Sequence, residues 1–226
     1  MSQREIIFDT ETTGFGMEEG KILEIGCIEM VNRLPTGKTF HTYLNPGMKI
    51  DWQSQRVHGI TDEKVADAPK FADIAAEMLA FFGDSTLVAH NADFDVGFVN
   101  TELKRAGLPP LTNPVVDTVA MARQKLPGQR ASLDALCSFY NIDNSARTFH
   151  GALLDAQLLA DVYVELTGGL QGNLLADIKV ENATVTQTVT LAASADNAIV
   201  IEPSAAEAET HADFIARSVP NSGWNS

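Results

Sequence analysis

The chain has 226 residues, a net charge of −14 and an apolar fraction of 45%. This length is enough for one globular domain with a full core and some additional chain. We expect no membrane span, because no run of about 18 apolar residues occurs, and no secretory signal, because no basic segment precedes an apolar one at the N-terminus. The acidity predicts weak binding to nucleic acid unless metal ions or a partner protein help to hold it.

The two cysteines, Cys27 and Cys137, each lie in an apolar periodic segment. Neither has a neighbour at the spacing of metal ligands. We interpret both as reduced, buried side chains, which is typical of a cytoplasmic protein. A disulfide between them is the alternative.

The N-terminal part of the chain predicts three β-strands, at residues 4–9, 22–31 and 38–44. The link at residues 32–37 contains Pro35 and Gly37, both common in turns. We therefore expect the second and third strands to form a hairpin around this link.

Helices and short strands alternate from residue 71 onward. Apolar residues at helical spacing predict a helix over 71–82, and a short buried strand follows at 86–90. The remaining predicted elements are a helix at 94–105, a strand at 115–117 and helices at 118–125, 132–140 and 152–166. This order predicts an α/β fold in which three antiparallel strands precede alternating helices and strands in one mixed sheet.

The composition changes after Gly169. Residues 170–226 are rich in Ala, Thr, Ser and Asn and have poor periodicity. We predict a folded domain over residues 1–169, a flexible linker over 170–200 and a docking tail over 201–226.

Asp9 and Glu11 are an acid pair at the end of the first predicted strand. Alternation along a strand places both side chains on one face. The pair could hold a cation. It could equally be a solvated strand end followed by the turn residues Thr12, Thr13 and Gly14.

Asp155 lies on the apolar stripe of the last predicted helix, in step with Leu158, Leu159 and Val162. A buried acid is costly unless it is paired or binds a metal, so this position favours a functional carboxylate over a first-turn residue that serves the helix dipole. His150 precedes Gly151, which lets the chain turn. The histidine is therefore expected on the loop before the helix, free to lean over a site.

Asp95 follows the strand at 86–90 and opens the next helix, and Asp93 could equally cap that helix. By position alone the two acids are not distinguished. Several carboxylates close together repel one another unless cations join them. Two divalent cations solve this problem and can clamp the attacking and leaving oxygens of a phosphodiester, while a histidine can serve as the base. Oxygen ligands favour Mg²⁺ or Mn²⁺.

Three segments resemble the motifs of a known enzyme family: residues 8–14, 90–95 and 150–156. They resemble the three exonuclease motifs of the DEDD superfamily in its histidine-bearing branch, and the chain is most similar to the proofreading subunits of bacterial replicative DNA polymerases. Residues 57–62, 132–137 and 141–145 also resemble that family. The resemblance covers roughly residues 3–169, and three ordered motifs are far more specific than one. It implies a ribonuclease-H-like fold.

The resemblance also implies roles for individual residues. The expected ligands of two divalent cations, Mg²⁺ or Mn²⁺, are Asp9, Glu11, Asp95 and Asp155, with His150 as the general base. The expected substrate contacts are Asp9, Glu11, Thr12, Gly14, Gln53, His58, Phe94 and Asp155. Gln53 is a departure, because the family often has an acid before the Val-His-Gly motif. Asp93 falls at a variable position, and Asp117 is expected to be structural or to support the site from behind.

The activity implied is removal of mismatched 3′-terminal nucleotides from DNA as deoxynucleoside monophosphates. Gln171, Leu174 and Leu175 resemble a sliding-clamp motif, although plain linker is equally compatible with them. The C-terminal tail is expected to dock on the polymerase subunit, and a small accessory subunit is a further candidate partner. Two other hypotheses are an RNA-trimming exonuclease of the same superfamily and a bridging subunit without chemistry.

Overall fold

The fold is built around one mixed β-sheet. The computed structural model describes residues 3–14 and 16–168. Within these residues the strands are β1 (Arg4–Thr12), β2 (Ile22–Val31), β3 (Leu34–Tyr43), β4 (Thr86–Ala89) and β5 (Val115–Asp117). The spatial order is β3-β2-β1-β4-β5, with antiparallel pairing among the first three strands and parallel pairing of β4 with β1 and β5. The predicted fold class is confirmed.

The helices in the described part of the chain are α1 (Trp52–His58), α2 (Asp62–Val65), α3 (Phe71–Phe82), α4 (Ala92–Arg105), α5 (Thr118–Lys125), α6 (Leu133–Tyr140) and α7 (Ala152–Leu166). The five longer helices agree with the sequence prediction to within two residues. α1 and α2 were not predicted, because each is short and buries a single side chain, so neither has an apolar stripe. None of the described helices has the length and apolar character needed to cross a membrane.

The β2–β3 hairpin differs from the predicted one. Its turn consists of Asn32 and Arg33, both with positive φ (52° and 64°), as a two-residue hairpin turn requires. Pro35 belongs to β3 and pairs with Met30. Proline is tolerated there because β3 is an edge strand, and Gly37 (φ 85°) lies where the register shifts. The interpretation of residues 32–37 as one turn was therefore wrong.

The central strand β1 is buried on both faces. Ile6 and Phe8 pack with α3 and α4, whereas Ile7, one residue out of step, packs with α5, α6 and α7. β1 also extends to Thr12, three residues beyond the predicted strand, so Asp9 and Glu11 lie within it. By the period of two, both acids face the side of the sheet that α7 covers.

Both cysteines, Cys27 and Cys137, are buried and free, as the sequence predicted.

Candidate active site

The two acids in the first turn of α4, Asp93 and Asp95, differ in burial. Asp95 is only 2% exposed, and its Oδ1 accepts hydrogen bonds from the Thr10 backbone N (2.9 Å) and from Thr10 Oγ1 (2.7 Å). Asp93, two residues earlier, is exposed to solvent. β1 therefore holds Asp95 directly beside Asp9 and Glu11, and the choice that position alone left open is resolved in favour of Asp95 as a residue of the site.

α7 brings Asp155 to the same place because its first turn lies unusually close to the sheet. At Gly26 on β2, an added Cβ would be 2.2 Å from the Leu153 backbone N. Glu24 on the same strand accepts a hydrogen bond from Ala152 N (3.2 Å) and so caps the helix, whose own N-cap residue is Gly151. Asp155, in the first turn, is 3% exposed.

His150 lies on the loop before α7, as predicted. Its backbone N donates to Val57 O (3.1 Å), which ties the loop to α1. Its side chain is 46% exposed, and its Nδ1 is 3.3 Å from Asp155 Oδ2. The imidazole is therefore accessible to a substrate while it remains next to the acids.

Arg147 is a residue of the site that the sequence reasoning missed. Its guanidinium donates to both oxygens of Asp155 (Nε to Oδ1 and Nη2 to Oδ2, each 2.6 Å) and to Asp134 Oδ1 (2.7 Å). Nη2 also lies 2.9 Å from His150 Nδ1. Because a guanidinium only donates, Nδ1 is the acceptor of this bond. The one signal that could have pointed to Arg147 is the need of clustered acids for a nearby cation.

The acids of the site have strongly perturbed pKa values. Burial raises the pKa of Glu11 to about 8, with repulsion from Asp155 and Glu24 adding to it. Burial, partly opposed by the Thr10 hydrogen bonds, raises the pKa of Asp95 to about 7. Burial and the charges of Asp95, Glu11 and Asp155 also raise the pKa of Asp9 well above its usual value.

Asp155 behaves differently from the other three acids. Burial alone would raise its pKa, but the closeness of His150 and the hydrogen bonds and charge of Arg147 outweigh this effect and lower it. The four carboxylates therefore cannot all be ionised cheaply unless further positive charge joins them.

The site residues surround one cavity of about 290 Å³. Asp9, Glu11, Asp95, His150 and Asp155 all line it, together with Arg147. Ligand atoms of Glu11, His150 and Asp155 lie within 4.8 Å of one another, a spacing that one metal ion can span. Carboxylate oxygens with one imidazole nitrogen, in a cluster of repelling acids, fit a divalent cation.

The predicted substrate contacts divide into two groups. Phe94, which is 39% exposed, lines the acid cavity, whereas Thr12, Gly14, Gln53 and His58 are not among its lining residues. Three of these four belong to the region of α1. Gly14 (φ 88°) is pressed against Ser54, and His58 is buried, with Nδ1 accepting from Ile60 N (3.0 Å).

Asp117 caps the start of α5. Its Oδ1 accepts from the backbone N atoms of Val119 (2.9 Å) and Asn91 (3.0 Å), in keeping with the structural role expected for it. Gln171, Leu174 and Leu175, and the predicted linker and docking tail, lie outside the described residues.

The sheet order and the acid cavity define a nuclease fold, and comparison with known proteins agrees. A family model described as Exonuclease matches residues 6–163. The chain is similar to Exonuclease X in complex with 5′ overhanging duplex DNA, with a TM-score of 0.58, 27% identity and coverage of 72% of this chain and 90% of that one. The nuclease domain of a DEDDh family member bound to rAMP shares the fold at a TM-score of 0.64 and 20% identity, covering 73% of this chain and 92% of that one.

Two relatives make the assignment narrower. A protein from Rickettsia typhi named DNA polymerase III subunit epsilon is 47% identical over 221 residues, covering 95% of this chain and 96% of the relative. Its namesake in Escherichia coli (strain K12) is 51% identical over 177 residues, 74% of this chain and 72% of the relative. The chain belongs to the exonuclease family and, within it, to the family of DNA polymerase III epsilon subunits. The prediction of a 3′→5′ exonuclease of the proofreading type is confirmed.

Proposed function

We propose that the chain removes mismatched 3′-terminal nucleotides from DNA, one at a time, at the cavity lined by Asp9, Glu11, Asp95, His150 and Asp155. The observation that carries this proposal is the convergence of four acids and an accessible histidine from β1, α4 and the start of α7 on one cavity. Frayed ends are preferred, because a mismatched terminal nucleotide costs less to unstack and extend into a site.

The acids are proposed as ligands of two divalent cations, Mg²⁺ or Mn²⁺. When bound, such ions supply charge that stabilises the attacking and leaving oxygens of the phosphodiester. Asp9, Glu11 and Asp95 then ionise at neutral pH, which their raised pKa values otherwise oppose. Thr10 keeps Asp95 oriented toward the site through its two hydrogen bonds.

His150 is proposed as the base that takes a proton from the attacking water. Its exposed ring and loop position let it reach a water held in the cavity. The Nδ1 lone pair is engaged by Arg147. For Nδ1 to accept the proton, Arg147 has to turn away from the ring, which leaves its Nη1 bond to Asp134 as an anchor.

The terminal nucleotide is proposed to lie between Phe94 and the residues at the end of β1 and around α1, namely Thr12, Gly14, Gln53 and His58. His58 Nε2 is buried and makes no well-formed hydrogen bond among the described residues, although the Thr12 backbone lies near the ring. A buried polar atom without a partner is costly, so a substrate group that supplied one would be bound favourably.

The partners proposed are the DNA 3′ end and the alpha subunit of DNA polymerase III, reached through the tail at 201–226. Support comes from the names of the relatives, which place those proteins in a polymerase assembly. The clamp motif at Gln171, Leu174 and Leu175 and a small accessory subunit remain further proposals. A peptide of residues 168–178 that binds the clamp no better than its Gln171→Ala version would end the first of them.

The activity is tested with a labelled primer–template that has a mismatched 3′ end, beside an RNA strand of equal length, with Mg²⁺ or with a chelator. We expect stepwise shortening of the DNA that requires the metal and that Asp9→Ala abolishes. Shortening of RNA alone would replace the substrate but keep the site. Shortening that Asp9→Ala leaves undiminished would refute the site.

A further inference from the structure

A second cavity adjoins the acid cavity, on the side of β4 and α5. It has a volume of about 560 Å³ and includes Arg123 and Gln129 in its lining. His90, Asn91 and Ser132 line both cavities, so the two are continuous. The volume falls within the range of about 300–1,000 Å³ that is usual for ligand sites.

The lining of the second cavity offers donors without acid partners. The side chain of Arg123 makes no ion pair, hydrogen bond or ring contact within the described residues, and the same holds for the side chain of Arg130, seven residues further along the chain. Asp117, the acid at the end of β5, already receives two backbone N–H groups. In a chain with a net charge of −14, an arginine left unpaired beside the acid cavity is placed to meet an anion from outside.

The order of the strands shows on which side of the acids the second cavity lies. The acids of β1 lie at the centre of the sheet, and the contacts proposed for the terminal nucleotide lie at the end of β1 and on α1, away from β5. The second cavity lies on the opposite side, beyond the end of β4. A strand whose last nucleotide occupies the α1 side and whose terminal phosphodiester lies at the acids reaches the second cavity when it leaves the acids on the opposite side. This step rests on the proposed function.

We propose that the second cavity binds the single-stranded DNA backbone upstream of the bond that is cleaved. Arg123 contacts a backbone phosphate, and Asn91, Gln129 and Ser132 supply neutral hydrogen-bond donors beside it. These contacts position the strand and carry no base preference, as is usual for contacts to phosphate. They also give this acidic protein a local cation where its substrate needs one.

The test compares two substrates that differ in their upstream part. One is a single-stranded DNA oligonucleotide, and the other is the nitrophenyl ester of thymidine 5′-monophosphate, which has no upstream nucleotide. One phosphate contact on a single strand carries a salt slope of about 0.7. Such a contact therefore contributes about fivefold to the affinity at about 0.1 M monovalent salt, relative to about 1 M. In Arg123→Gln we expect the ratio of kcat/KM for the oligonucleotide to that for the ester to fall about fivefold, and the salt slope to decrease by about 0.7.

Lys104→Gln is the matched control, because Lys104 is also exposed and unpaired within the described residues but lies nine residues, about 13 Å of helix, beyond Asp95. Arg123→Lys should restore much of the ratio. A ratio that is unchanged in Arg123→Gln, or that Lys104→Gln lowers equally, would overturn the subsite. Failure of the unaltered chain to hydrolyse either substrate would instead overturn the proposed function, and this inference with it.

Discussion

At the scale of single residues, the candidate site is a group of carboxylates whose charges are only partly balanced. Position in the sequence favoured Asp155 as a functional acid and made Asp9 and Glu11 candidates beside the alternative of a solvated strand end, because a helical stripe and strand alternation are local patterns. Position alone could not separate Asp95 from Asp93, and only the family resemblance did, since the physical difference is the burial that Thr10 and the packed sheet create. Nor could it find Arg147, whose role depends on the approach of a loop to a helix. Contacts of this kind produce no regular spacing of residues that could be recognised in the sequence.

Arg147→Gln should destabilise the protein in the presence of a chelator. The change leaves Asp155 buried without its bidentate partner, and breaking a buried ion pair costs about 3–5 kcal/mol in free energy of unfolding. Added Mn²⁺ should recover part of the loss, because the ion supplies the missing charge. Urea unfolding with and without Mn²⁺ measures both effects.

Asp134→Asn is the control for that change, since it removes only the exposed end of the Arg147 network, a carboxylate that is 60% exposed. We expect it to cost less than about 1 kcal/mol. Equal losses in the two variants would contradict the account of Arg147.

The raised pKa values predict how the stability of the protein depends on pH when metal is chelated. Glu11 and Asp95 hold their protons in the folded state up to pH values of about 8 and about 7, but release them near pH 4 when unfolded. The folded state therefore binds more protons between these limits, and the free energy of unfolding should fall as pH rises from 4 to 8. Glu11→Gln should flatten this fall. A pH dependence that is the same in Glu11→Gln and the unaltered chain would contradict the prediction.

At the scale of elements, strong periodicity made most of the fold predictable, and local backbone geometry limited the rest. α3 and α7 were placed correctly because each has a continuous apolar stripe. The hairpin turn was misplaced because Pro35 and Gly37 are turn residues by type, whereas the left-handed backbone that makes the turn belongs to Asn32 and Arg33. α1 was missed because its helix depends on caps, Asp51 at the start and Gly59 at the end.

Gly26→Ala should displace α7 and weaken the site. The new methyl group would lie 2.2 Å from the Leu153 backbone N, so the start of the helix has to move, and with it His150 and Asp155. We expect a loss of about 1–3 kcal/mol in stability and a fall in nuclease activity larger than the unfolded fraction explains. Gly16→Ala is the control, because nothing lies within 4 Å of its added Cβ. Normal activity of folded Gly26→Ala would contradict the role given to this contact.

At the scale of the whole molecule, the net charge and the C-terminal residues bear on how the nuclease meets its substrate. A chain with a net charge of −14 should hold DNA weakly by itself. Delivery of the primer end by a polymerase would offset this, and the tail is the segment proposed to connect the two. Composition predicted the division near residue 169, but the partner of the tail came only from resemblance, because segments that fold on binding have no periodic pattern of their own.

Truncation after residue 180 should preserve hydrolysis of a mismatched oligonucleotide and abolish co-purification with the polymerase subunit. The described domain, which contains every residue of the acid cavity, remains intact in that variant. Activity and pull-down of the truncated and full-length chains, expressed with the polymerase subunit, provide the comparison. A truncated chain that still co-purifies would place the docking surface elsewhere.

The most direct test of the central claim uses the two neighbouring acids of α4, Asp95 and Asp93. Each is changed to Asn, and the rate of nucleotide release from a mismatched primer is measured together with Mn²⁺ binding by calorimetry. The account predicts that Asp95→Asn loses both hydrolysis and metal affinity, whereas Asp93→Asn, which changes an exposed acid, retains them. Retention of both properties by Asp95→Asn, or equal losses in the two variants, would contradict the assignment of the acid cavity as a metal-dependent nuclease site.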